Sequence, residues 1–130
     1  MPHAHTILLV DDYLDALDVW GLYLRSCGFD VLTAADGFEA VESATAAVPD
    51  LAVVDLELPG LSGFEVARAL RQDARLKHIP LIAATGYSQP AQAEDARAAG
   101  FDAVLVKPCP PELLLSEIRR LLSVSVAPSG

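Results

Sequence analysis

Five short apolar runs, none alternating with polar residues, set the strongest limit on the fold: Ile7-Leu8-Leu9-Val10, Val31-Leu32-Thr33-Ala34, Leu51-Ala52-Val53-Val54, Leu81-Ile82-Ala83-Ala84 and Ala103-Val104-Leu105-Val106. Strands of this kind are covered on both faces, which requires helices above and below a mainly parallel sheet. Segments with helical spacing lie between them. Leu14, Leu17, Trp20 and Leu24 form one stripe, stopped by Gly28; Val41, Ala44 and Val48 form a second, closed by Pro49; Phe64, Ala67 and Leu70 form a third. The fourth segment, about Pro90 to Ala99, is Ala-rich and polar, with Gln92, Glu94, Asp95 and Arg97. The fifth opens at Pro110-Pro111-Glu112, which suits a helix start, and carries Leu115, Ile118 and Leu122. Five strand–helix repeats predict an α/β fold with right-handed crossovers.

A chain of 130 residues suits one domain, expected over residues 6–122, with 1–5 and 123–130 as flexible tails. With 9 Lys and Arg against 18 Asp and Glu, its net charge of −9 disfavours direct binding to nucleic acid. No apolar run approaches the ~20 residues of a membrane span, and no signal-peptide pattern opens the chain, so a cytoplasmic location is expected. Cys27 and Cys109 are read as reduced thiols.

The residue types that follow the strands carry the chemistry. The first strand ends at Asp11-Asp12, the third at Asp55, the fourth at Thr85 and the fifth at Lys107. In an open parallel sheet all carboxyl ends lie along one edge, so these residues converge on one crevice. Two carboxylates ~4 Å apart repel by about 4 kcal/mol at an effective dielectric near 20, and a third raises the cost. Such a cluster calls for a hard divalent cation, Mg²⁺ first. Metal, carboxylate, hydroxyl and lysine together are suited to phosphoryl transfer, with Asp55 the natural nucleophile and the tandem Asp11-Asp12 better placed to hold metal.

These residues resemble the receiver domain of bacterial response regulators in two-component signalling, of the chemotaxis-regulator type. The resemblance spans roughly Thr6 to Leu122 and rests on Leu8-Leu9-Val10-Asp11-Asp12, the stretch from Val54-Asp55-Leu56-Glu57 through Pro59-Gly60-Leu61-Ser62-Gly63-Phe64-Glu65, Ala84-Thr85-Gly86, and Val106-Lys107-Pro108. It implies a flavodoxin-like (βα)₅ three-layer sandwich with strand order 2-1-3-4-5. It implies that Asp55 accepts a phosphoryl group from a histidine kinase or phosphotransfer protein. Asp11, Asp12, Asp55 and the backbone carbonyl of Glu57 would ligate Mg²⁺, or Mn²⁺ in its place. Lys107 would pair with the phosphoryl group and Thr85 would close onto it. The Lys107–Pro108 bond is cis in the family. An output protein or domain would be engaged through the fourth helix, fifth strand and fifth helix, and the chain would be no enzyme beyond its own phosphorylation and dephosphorylation.

Three positions depart from the family pattern. Val104 replaces the usual Tyr or Phe three residues before the lysine, Cys109 replaces a larger apolar residue after Lys107-Pro108, and Glu57 adds a fourth carboxylate at a position that tunes phosphoryl lifetime. Without the aromatic ring, Val104 is expected to stay packed, and the switch would run through Gly86, Tyr87 and the fourth helix. Two other readings use the same residues. One is a pseudo-receiver that binds partners without phosphorylation, although no acidic or lysine position is lost. The other is a Mg²⁺-dependent nuclease or topoisomerase-type acidic site, which the net charge and Lys107-Pro108 disfavour.

Overall fold

The computed structural model describes residues 4–86 and 89–125. Its elements follow in the order β1 (Thr6–Val10), α1 (Leu14–Ser26), β2 (Asp30–Ala34), α2 (Gly37–Ala47), β3 (Leu51–Asp55), α3 (Gly63–Gln72), β4 (Leu81–Thr85), α4 (Pro90–Ala99), β5 (Ala103–Val106) and α5 (Pro111–Ser125). All strand pairs are parallel, and the sheet order is β2-β1-β3-β4-β5. This is the expected flavodoxin-like topology, and it reverses direction between β1 and β3.

Alternate residues of each central strand feed two cores. Leu8, Val10, Ala52, Val54, Leu81 and Ala83 pack under α2, α3 and α4, against Ala40, Ala44, Val66, Ala67, Leu70 and Ala96. Ile7, Leu9, Leu51, Val53, Ile82 and Ala84 pack under α1 and α5, against Leu17, Trp20, Leu24, Leu114 and Ile118. Every residue of β3 and β4 is buried, which explains why those runs carry no polar alternation.

Local sequence sets the helix ends. Asp36 caps α2 by accepting from the Glu39 amide at 2.8 Å. Ser62 and Glu65 form a reciprocal capping box at the start of α3. Gly63 must be glycine, because a Cβ there would overlap the Asp55 carbonyl and the Leu56 backbone. That close approach brings the first turn of α3 against the end of β3.

The structure corrects three details of the sequence reading. Leu14 is the first residue of α1 and is 62% exposed, so the buried stripe is Leu17, Trp20, Gly21 and Leu24. Val48 is no part of the α2 stripe; it is the C-cap, with a left-handed φ of 47°. The last helix continues through Ser125, beyond the expected start of a tail at 123. The chain shows no helix among the described residues long and apolar enough to cross a membrane.

Candidate phosphoryl-acceptor site

The carboxyl ends of β1, β3, β4 and β5 bring five of the expected residues together. Asp11 follows β1, Asp55 ends β3, Thr85 ends β4 and Lys107 follows β5; Asp11, Asp55 and Thr85 are buried, whereas Asp12 is exposed at the rim. One carboxylate oxygen from each of Asp11, Asp12 and Asp55 lies within 4.8 Å of the others. The Lys107 ammonium bridges two of them, 2.7 Å from Asp11 Oδ2 and 3.2 Å from Asp55 Oδ2. The Lys107–Pro108 peptide is cis.

The loops orient these carboxylates through their own backbone. Asp11 Oδ1 accepts from the Tyr13 amide at 2.9 Å, and Asp55 Oδ1 accepts from the Glu57 amide at 3.0 Å. Both are Asx-type turns that fix the side chain against its own loop. Lys107 is tied in turn by its backbone, whose amide donates to the Thr85 carbonyl at 2.7 Å.

Burial dominates the electrostatics of Asp55 and pushes its carboxyl up to about 6; the Glu57 amide and Lys107 pull it down, and Asp11 adds to the rise. Burial opposes the charge on Lys107, but the hydrogen bond to Asp11 and the fields of Asp55 and Asp11 outweigh it, so its ammonium is held above the ordinary range. A buried carboxylate whose charge is held in place by one lysine is open to further neutralisation. The donor set is all carboxylate oxygen with one exposed member, which fits a hard cation that keeps several waters.

Glu57 is where the site differs from the sequence reading. Its exposed side chain turns across the crevice: Oε2 accepts from the Thr85 hydroxyl at 2.9 Å, and Oε1 accepts from the Gly86 amide at 3.1 Å. Gln92 on α4 reaches the same carboxylate at 3.4 Å. Nothing in the sequence pattern beyond the position of Glu57 signals this bridge. Val104 is partly buried and packs against the core cluster that includes Ala96 and Ala99 of α4. Tyr87 lies outside the described residues.

The remaining departure is Cys109. It is buried, unpaired by disulfide, and lines a hollow of about 400 Å³ with Ala16, Trp20, Lys107 and Pro108. Burial pushes its thiol up, which suppresses thiolate and with it reactivity.

Comparison with known proteins accounts for this arrangement. The family model of the response regulator receiver domain matches residues 7–119. The chain belongs to the response regulator receiver family. It is 31% identical over 103 residues to the polar-differentiation response regulator DivK of Brucella ovis, covering 79% of this chain and 84% of that protein. The chemotaxis response regulator CheY4 of Vibrio cholerae is 33% identical, with a TM-score of 0.88 over 92% of this chain and 99% of that one. The receiver domain of sensor histidine kinase PA1611 from Pseudomonas aeruginosa, a structure with a magnesium ion coordinated in the active-site cleft, is 31% identical with a TM-score of 0.86, covering 93% of this receiver and 99% of that chain. This receiver is thus part of two-component signalling, in a family whose members bind Mg²⁺ at an acidic pocket.

Proposed function

We propose that this receiver is a phosphorylation-dependent switch that accepts a phosphoryl group on Asp55 from a histidine kinase or phosphotransfer protein. The observation that carries the reading is the grouping of Asp11, Asp12 and Asp55 within 4.8 Å, with Lys107 bonded to two of the three. Asp11, Asp12, Asp55 and the Glu57 backbone carbonyl would hold Mg²⁺, or Mn²⁺, which offsets charge on the phosphoryl oxygens when bound.

The chain's own groups do the rest. An Asp55 carboxylate oxygen attacks the donor phosphorus while the P–N bond of a phosphohistidine breaks and the departing imidazole nitrogen takes a proton. Lys107, already within reach of Asp55, pairs with the transferred group. Thr85 donates its hydroxyl to a phosphoryl oxygen, and its movement carries the change to α4, β5 and α5, the surface offered to an output partner. The acyl phosphate is later hydrolysed by water. The only chemistry catalysed is the protein's own phosphorylation and dephosphorylation, so it is a switch and not an enzyme acting on an external substrate.

Intact-mass measurement after incubation with acetyl phosphate tests this. One phosphoryl increment is expected with Mg²⁺ and none with EDTA. Uptake that is indifferent to EDTA would overturn the metal-assisted reading.

A further inference from the structure

The Thr85 hydroxyl carries one proton, and in this structure that proton is given to Glu57 Oε2 at 2.9 Å. A hydroxyl committed to Glu57 has none to offer an oxygen of a phosphoryl group on Asp55. The Gly86 amide is committed in the same way, to Glu57 Oε1 at 3.1 Å. Both donors would therefore have to leave Glu57 to bind a phosphoryl group on Asp55. Glu57 itself is anchored where that choice is made, since its own amide donates to Asp55 Oδ1 at 3.0 Å. Gln92 extends the bridge one turn into α4.

We propose that the Glu57 side chain is a latch that holds Thr85, Gly86 and the start of α4 in the unphosphorylated arrangement and must be released for the switch to close. The proposal rests on the phosphoryl-acceptor reading for its consequence, but the latch itself exists without any phosphoryl group. Glu57 is a positioning residue: it acts on the reaction through Thr85. α4 has little else to fix it, with only Ala96 and Ala99 buried along its length, so a carboxylate bridge at its N-terminal end has leverage over its position. Two hydrogen bonds to a charged acceptor at an exposed site are enough to bias such an element several-fold.

A reading in which Glu57 matters only as one more negative charge makes a different forecast, and four proteins separate the two. Glu57→Ala removes charge and bonds. Glu57→Asp keeps the charge but falls one methylene short. Glu57→Gln removes the charge and keeps an acceptor oxygen for one of the two donors. The latch predicts that beryllofluoride, a phosphoryl mimic, binds the Ala and Asp variants about three- to tenfold more tightly than wild type, with Gln in between. Grouping by charge instead, with Gln alongside Ala and Asp alongside wild type, would overturn it. In a Thr85→Ala background, Glu57→Ala should lose most of its effect.

A second readout needs no phosphoryl mimic and so stands apart from the function reading. In metal-free protein, the Gly86 amide proton should move upfield in Glu57→Ala and Glu57→Asp as its charged acceptor is lost. A Gly86 resonance that stays in place would overturn the latch even if Asp55 is phosphorylated normally. Conversely, a shifted Gly86 resonance in a protein that never takes up a phosphoryl group would support the latch and contradict the proposed function.

Discussion

The ammonium of Lys107 lies 3.2 Å from Oδ2 of Asp55 and shares its charge with Asp11 at 2.7 Å. Residues 52 and 96 positions apart in sequence meet there because three parallel strands end on one edge of the sheet. Without the lysine, two buried carboxylates would face each other with no cation between them. Lys107→Met is therefore expected to lower stability by roughly 2–3 kcal/mol at neutral pH without divalent metal. Mg²⁺ should restore part of that loss, because it neutralises the same pair. Urea unfolding with and without Mg²⁺ checks both statements.

The raised Asp55 carboxyl makes stability depend on pH. Its folded value of about 6 lies above the ordinary carboxylate value, so the folded state holds this proton more tightly than the unfolded chain. The contribution is complete below about pH 4 and is lost as pH rises through about 6. Asp55→Asn removes that loss. The variant should gain on the order of 1 kcal/mol over wild type at pH 7 in metal-free buffer, and much less at pH 4. Equal stabilities at pH 7 would contradict the account.

Asp12 is the exposed member of the carboxylate cluster, so its removal leaves no buried charge behind. Asp12→Ala should weaken Mg²⁺ binding at least tenfold, a loss of ~1.4 kcal/mol, with little change in fold stability. Calorimetric titration with Mg²⁺ gives the affinity, and thermal unfolding gives the control.

At the opposite end of the sheet, Arg71 joins three segments. Its guanidinium donates to the carbonyls of Lys77 at 2.9 Å, Ile79 at 2.6 Å and Gly100 at 2.7 Å, and it pairs with Asp102 at 2.9 Å. Asp102 in turn accepts from the Leu81 amide at 2.8 Å, which fixes the start of β4. Arg71→Ala is expected to cost about 2–3 kcal/mol by leaving these carbonyls short of donors, and Arg71→Lys is expected to recover less than half of that, since an ammonium cannot reproduce the fork. Chemical denaturation of the two variants measures both values.

Much of the site was legible because four of its members stand directly after an apolar run. Asp11, Asp55, Thr85 and Lys107 needed only the rule that parallel strands end together, and the apolar runs themselves predicted the sheet. What escaped was set by loop and helix-end geometry. The reach of Glu57 to Thr85 and Gly86 depends on how the loop after β3 turns, which no periodicity encodes. The Arg71 network was hidden because a single arginine on a helix face is ordinary in sequence, and its partners lie six to 31 residues away. Leu14 fitted the α1 spacing but is the first residue of the helix and stays exposed, outside the buried face of Leu17, Trp20, Gly21 and Leu24. The Ser62–Glu65 capping box, by contrast, is legible from its Ser-x-x-Glu spacing alone.

The central claim is that the phosphoryl group resides on the Asp55 carboxylate, and borohydride trapping tests it most directly. An aspartyl phosphate is an activated acyl group that borohydride reduces to the alcohol, converting the aspartate to homoserine, whereas an unmodified carboxylate is left alone. After treatment with acetyl phosphate and Mg²⁺, reduction and peptide mapping should find homoserine at position 55 in wild type, and nowhere in Asp55→Asn. Homoserine at position 11 or 12, or none at position 55 despite phosphoryl uptake by the intact protein, would contradict the account.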